Sequence, residues 1–203
     1  MLVRPLSRRD LNAVAAIHVA VFPDSALALL GEDAVRRFYD WLCIGPHSAS
    51  ASGAFVDNEC VGFYFGGIFR GPRWGFIQHN RTYLVWRVIT HPWLFASRIF
   101  RDGAKIGRQM LWARQPTEKS AKQTRSFRLL VIAVNPRYQR SGIGTLLMLD
   151  ASTTARKYSF DRMELTTHPT NDRAIDLCEK LGWHRASGGG NWNGLMRNSL
   201  NSQ

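Results

Sequence analysis

Gln139-Arg140-Ser141-Gly142-Ile143-Gly144 stands between an apolar run and a helix-patterned segment. The run before it, Leu129-Leu130-Val131-Ile132-Ala133-Val134, is six apolar residues rich in β-branched types. That composition predicts a strand buried on both faces. Asn135-Pro136 ends it. After the glycines, Ile143, Leu146, Leu147, Ala151, Thr154, Ala155 and Tyr158 recur at helical spacing. A strand, a glycine-bearing turn and a helix start together make an anion cradle. The first helical N–H groups have no internal partner, and the helix dipole adds partial positive charge there. Without a Cβ at Gly142 or Gly144, a phosphate can come close to the backbone.

The spacing excludes the two commonest phosphate loops. It is neither G-x-x-x-x-G-K-[ST] nor G-x-G-x-x-G but Q-x-x-G-x-G. In that form, Ala133 to Gly144 resembles the pyrophosphate-binding motif of the GCN5-related N-acetyltransferases, the GNAT superfamily. Downstream, Asn171-Asp172-Arg173-Ala174-Ile175-Asp176-Leu177-Cys178-Glu179-Lys180-Leu181-Gly182-Trp183 resembles the second signature of that family, an Asn-led helix ending in Leu-Gly-aromatic. The resemblance covers residues 127 to 186 well and the N-terminal part by its order of elements.

That order is read as follows. Leu2 to Leu6 forms a first strand, and Ser7 to Asp10 has capping-box-like spacing before an amphipathic helix marked by Leu11, Val14, Ala15, His18 and Val21. Phe22-Pro23-Asp24-Ser25 breaks it, and a second helix follows Gly31. Ala54-Phe55-Val56 and Val61 to Phe65 flank Asp57 to Cys60 as a hairpin that Gly66 and Gly67 close. Met163 to Thr167 reads as a strand, Asp172 to Leu181 as a helix with Gly182 as its C-cap, and Trp183–Ala186 and Leu195–Leu200 as terminal strands around Gly188-Gly189-Gly190. The resemblance implies an α/β (α+β) GNAT fold: a central mixed, mostly antiparallel sheet flanked by helices, in a single domain spanning 1–203.

Composition sets further bounds. A chain of 203 residues with 45% hydrophobic content can bury a sizeable core. No apolar run approaches the ~20 residues of a membrane span, and the start Met1-Leu2-Val3-Arg4-Pro5 does not read as a signal peptide. Cys43, Cys60 and Cys178 are unclustered and odd in number, which suits a reducing cytoplasm. No Cys/His spacing suggests a metal, and no nucleic-acid-binding motif is present.

The net charge of +12 is concentrated. Residues 68–126 hold twelve Lys or Arg against Asp102 and Glu118, a net of +10, interleaved with Trp74, Phe76, Tyr83 and Trp86. Pro92 opens an expected helix to about Arg114, with Ala96, Ile99, Phe100, Gly103, Ile106 and Met110 on one face. This basic helical insertion is read in two ways. It is a flap with an ordinary solvated face, or a surface for an anionic partner such as a membrane interface or a phosphate-bearing acceptor.

The resemblance also implies a cofactor and roles. The cofactor is acetyl-CoA or another acyl-CoA, and the other substrate is a small-molecule amine acceptor. The N–H groups of Arg140, Ser141, Gly142, Ile143, Gly144 and Thr145 would bind the pyrophosphate, with Gln139 at the family's Gln/Arg position. Ala133 and Val134 would pair with the pantetheine arm as an added strand does, and the Val134 N–H would polarise the thioester carbonyl. Asn171 would bond the pantetheine or act as a plain helix N-cap, two compatible roles.

The chain departs from the family at Cys178, where many members have a Tyr that protonates the leaving thiolate. Cys178 is either that proton donor or a small buried hydrophobe. The strand Phe127 to Val134 carries no carboxylate to serve as general base. His168 is the best-placed titratable side chain, or a structural His before Pro169. Asp24 lines the acceptor wall or simply belongs to a turn. Two function classes follow: an acyl-CoA N-acyltransferase with a cytoplasmic location, or a non-catalytic acyl-CoA-binding module docking at a membrane or partner. Protein acetylation is a third reading.

Overall fold

The computed structural model describes residues 1–91, 125–186 and 192–200. The expected helix from Pro92 to about Arg114 and the Gly188–Gly190 loop lie outside the described residues.

Among the described residues, seven strands form one sheet in the order β1-β2-β3-β4-β5-β7-β6. They are β1 (Leu2–Pro5), β2 (Ser48–Val56), β3 (Glu59–Ile68), β4 (Ser126–Val134), β5 (Arg162–Thr166), β6 (His184–Arg185) and β7 (Leu195–Ser199). Among these strands the β4–β5 pair is parallel and the other pairs are antiparallel. The helices are α1 (Leu11–Val21), α2 (Ala26–Leu29), α3 (Glu32–Ile44), α4 (Pro72–His79), α5 (Arg81–Thr90), α6 (Ile143–Lys157) and α7 (Asp172–Lys180). The mixed, mostly antiparallel sheet flanked by helices is the architecture expected.

Each face of the sheet has its own apolar cluster. α6 and α7 cover one face, bringing Ile143, Leu147, Ala151, Ile175 and Cys178 onto Tyr64, Phe127 and Met163. α1 and α3 cover the other, bringing Leu11, Val14, Ile17, Val35 and Tyr39 onto Phe55, Phe63, Phe65 and Ala133. A polar tie locks α6 down: the buried Tyr64 hydroxyl donates to Asp150 Oδ2 at 2.8 Å.

Gly66 and Gly67 do not close the hairpin as expected; they lie inside β3, which runs on to Ile68. Their reason is close approach. A methyl at Gly66 would meet the Phe127 ring at 2.2 Å, and one at Gly67 would meet Ser48 O at 2.1 Å. β2 likewise begins earlier, at Ser48. Between β3 and β4, the stretch read from sequence only as aromatic and basic contains α4 and α5.

Candidate active site

β4 decides the site. Its pairing with β5 runs from Ser126↔Arg162 to Leu129↔Leu165 and ends there. Its pairing with β3 continues to Gly62↔Val134. Leu130 to Val134 therefore have β3 on one side and no β5 on the other. At the same place the β3–β4 register slips, because Gly66 pairs with Leu129 while Phe65 pairs with Val131. Leu130 is the extra residue of a bulge, and a bulge bends its strand and increases its twist. The bend separates β4 from β5 and opens a gap.

The bulge explains why β4 is less buried than its apolar run predicts. Leu130, Val131, Ile132 and Val134 are only half-buried, whereas Phe127, Leu129 and Ala133 are buried. The strand expected to be covered on both faces instead offers an apolar wall to the gap.

Register also fixes which backbone groups face the gap. Asn135 N donates to Val61 O at 2.8 Å, so Asn135 and Val61 are a hydrogen-bonded antiparallel pair. Hydrogen-bonded and non-hydrogen-bonded pairs alternate. Ala133, opposite Phe63, therefore spends its N–H and C=O on β3. Ile132 and Val134, opposite Tyr64 and Gly62, turn theirs the other way, into the gap. The sequence reading named Ala133 and Val134; the alternation replaces Ala133 with Ile132. The Val134 carbonyl is met there by Gln139 Nε2 at 3.2 Å.

The turn that follows is built for an open helix start. Asn135 caps a 3-10 turn over Pro136–Tyr138. Arg140 has φ +64°, a left-handed conformation rare for a side-chain-bearing residue. Gly142 has φ +81°, which suits glycine, and no atom lies within 4 Å of where its Cβ would sit. Ser141 Oγ donates to Tyr138 O and holds the turn closed. The first helical bond of α6 runs from Leu146 N to Gly142 O. The amides of Ile143, Gly144 and Thr145 precede it and have no intrahelical acceptor. No acidic residue sits in this first turn, and Arg137 and Arg140 are exposed beside it.

Gly144 has a second reason. A methyl there would come within 3.3 Å of Leu177 Cδ2, so its bare Cα clears the way for α7 as well as leaving its amide in the cradle. The Ile143 side chain is buried and anchors the helix start in the core.

The other predicted residues are placed as follows. Asn171 caps α7, accepting from Ala174 N at 3.2 Å. Cys178 is 4% exposed in the core under α7, and burial pushes its thiol up to about 11. His168 is exposed beyond the end of β5, with Nδ1 2.8 Å from Thr170 Oγ1. Asp24 is exposed in the turn between α1 and α2.

A polar trio, buried at His18 and Tyr39 and half-buried at Ser25, stands near Asp24; from sequence His18 was read only as part of an amphipathic helix face. His18 Nδ1 lies 2.7 Å from the Tyr39 hydroxyl and its Nε2 lies 3.2 Å from Ser25 Oγ. Ser25 Oγ also accepts from Ala28 N at 3.1 Å. The trio ties α1, α3 and the start of α2 together.

Comparison with known proteins agrees with this geometry. Residues 90–183 match the model of the acetyltransferase (GNAT) family. That stretch of the chain is similar to a GNAT acetyltransferase domain.

Solved structures give the same fold over nearly the whole length. An N-acetyltransferase from Thermoplasma acidophilum, PaiA in complex with coenzyme A, is 13% identical, covers 98% of each chain and superposes with a TM-score of 0.59. The ribosomal-protein-S18-alanine N-acetyltransferase of Escherichia coli is 15% identical over 100% of this chain and 95% of its own, with a TM-score of 0.57. An aminoglycoside 6'-N-acetyltransferase from Acinetobacter haemolyticus is 14% identical over 95% of this chain and 97% of its own, also at 0.57. No curated protein matches the chain in sequence. The GNAT match supports acetyl transfer as the general activity. Among the described residues, no helix is long and apolar enough to cross a membrane.

Proposed function

We propose that this protein moves an acetyl group from acetyl-CoA to an amine by direct attack within one complex. The supporting observation is the parting of β4 from β5 after Leu129, which leaves the polar backbone of Ile132 and Val134 facing a gap that leads into the Gly142 turn.

The residues fit the cofactor. The unpaired first-turn amides of α6 and the open side of Gly142 suit a diphosphate. The half-buried apolar side chains of β4 and the outward groups of Ile132 suit an extended amide-bearing arm. When bound, acetyl-CoA supplies an activated acyl carbon and a thiolate leaving group. The Val134 N–H then donates to the carbonyl oxygen as negative charge develops there, in a site where water is displaced. Gln139 Nε2 occupies the Val134 carbonyl and so holds the Val134–Asn135 peptide that follows that donor.

The attacking amine must lose a proton. β4 has no carboxylate to accept it. His168 is the side chain to test for this role through Nε2, because its Nδ1 is turned to Thr170. The Cys178 thiol remains protonated at neutral pH but lies in the core, so proton return to the leaving group is left to solvent at the gap. For the acceptor, the basic 68–126 segment favours an amine on an anionic carrier.

Thiol release from acetyl-CoA, followed with a panel of amines including nucleotide-linked and lipid-linked ones, tests this reading. Acceptor-dependent release supports it. CoA binding without release for any amine or acyl donor would instead establish a non-catalytic acyl-CoA-binding module.

A further inference from the structure

We infer that the outer face of α5 is a docking surface for an anionic lipid bilayer. The helix divides cleanly by position. Tyr83, Leu84, Arg87 and Val88 are half-buried. They tie it to the body of the protein: Arg87 Nε donates to Leu30 O at 2.8 Å, and the Arg37 guanidinium lies 4.3 Å over the Tyr83 ring. On the opposite side Val85, Trp86 and Ile89 stand out, 60%, 58% and 72% exposed. Arg81 and Thr82 flank them, also exposed. On α4, Ile77 is exposed, as are Arg73 and the preceding Arg70.

Two observations choose the occupant. First, two large aliphatics and a Trp projecting from a surface helix are the residues that settle at a headgroup–acyl boundary. Second, the charge carried by these two helices is of one sign, and the carboxylate that reaches α5 from a neighbouring element, Asp33 beside Tyr83, is already paired with Arg36 and Arg37. No Asp or Glu occurs between Glu59 and Asp102, so neither α4 nor α5 carries a carboxylate. Arg70, Arg73 and Arg81 therefore present cations suited to an anionic headgroup layer. The predicted association is shallow, reversible and weakened by salt. It does not depend on the catalytic reading, because none of these residues belongs to the β4 gap or the Gly142 turn.

The test is flotation of the full chain with vesicles of pure phosphatidylcholine and with vesicles that also contain phosphatidylglycerol. The expected result is association with the second only, lost at high salt. Arg73→Gln with Arg81→Gln weakens it about fivefold per arginine, and Val85→Ser with Trp86→Ser and Ile89→Ser abolishes it. Both variants keep wild-type circular dichroism and CoA binding. Four outcomes would overturn the inference: no flotation at low salt, equal flotation with both vesicles, unchanged flotation of the triple variant, or a triple variant that loses self-association instead.

Discussion

Leu129 faces Leu165 across the last parallel rung between β4 and β5, and the next residue, Leu130, is the bulge that turns β4 away. One residue thus ends a ladder, changes which side chains face α6, and aims two peptide groups at open space. The site follows from a strand irregularity and needs no exceptional side chain.

Prolines at adjacent positions separate these roles. Val134→Pro removes a donor aimed into the gap, and its expected effect is a fall in kcat/KM of about 10²-fold or more with a modest loss of stability. Ala133→Pro removes an N–H bonded to β3, and it destabilises the fold by about 2 kcal/mol or more. Steady-state kinetics beside thermal unfolding distinguishes the two.

Gly142→Val places a β-branched residue at φ +81°, which costs about 1–2 kcal/mol of backbone strain. The strain is relieved by shifting the turn, which moves the Ile143 to Thr145 amides. CoA affinity by calorimetry should fall at least tenfold, while Gly142→Asn, which tolerates this region better, should keep most of it.

His18 gives a pH dependence of known sign. Burial lowers its pKa from 6.5 to about 4 in the folded state. The unfolded chain takes up the proton near 6.5 and the folded chain only near 4. Stability is therefore full above 6.5 and is lost as pH falls toward 4, by a total on the order of 3 kcal/mol. Denaturant midpoints across that range should show the decline. His18→Phe should flatten it while lowering stability at neutral pH, because the Tyr39 hydroxyl loses its partner.

Cys178→Ala should lower stability by about 1 kcal/mol through a small cavity and leave kcat unchanged, because the thiol lies in the core. Cys178→Ser should cost more, since it buries a hydroxyl. A large fall in kcat for the alanine variant, with stability intact, would restore a proton-transfer role.

Much of this was legible in the residues. Gln139 to Gly144 and Asn171 to Trp183 carry local chemistry, glycine conformation and helix caps, which a linear sequence records directly. The bulge was hidden because Leu129 to Val134 is uniformly apolar, and a change of side-chain parity leaves no mark where every residue is apolar. For the same reason Ile132 escaped notice and Ala133 was named instead. The close contacts that explain Gly66, Gly67 and Gly144 are with Phe127, Ser48 and Leu177, residues distant in sequence. His18 looked apolar because its partners, Ser25 and Tyr39, are brought to it only by folding.

The most direct test is amide hydrogen exchange by NMR, with and without CoA. The account predicts that CoA slows exchange at Ile132, Val134 and the Arg140 to Thr145 amides, while Val131 and Ala133, already bonded to β3, stay slow throughout. Binding that leaves Ile132 and Val134 unprotected, or no binding of CoA or acetyl-CoA, would contradict it.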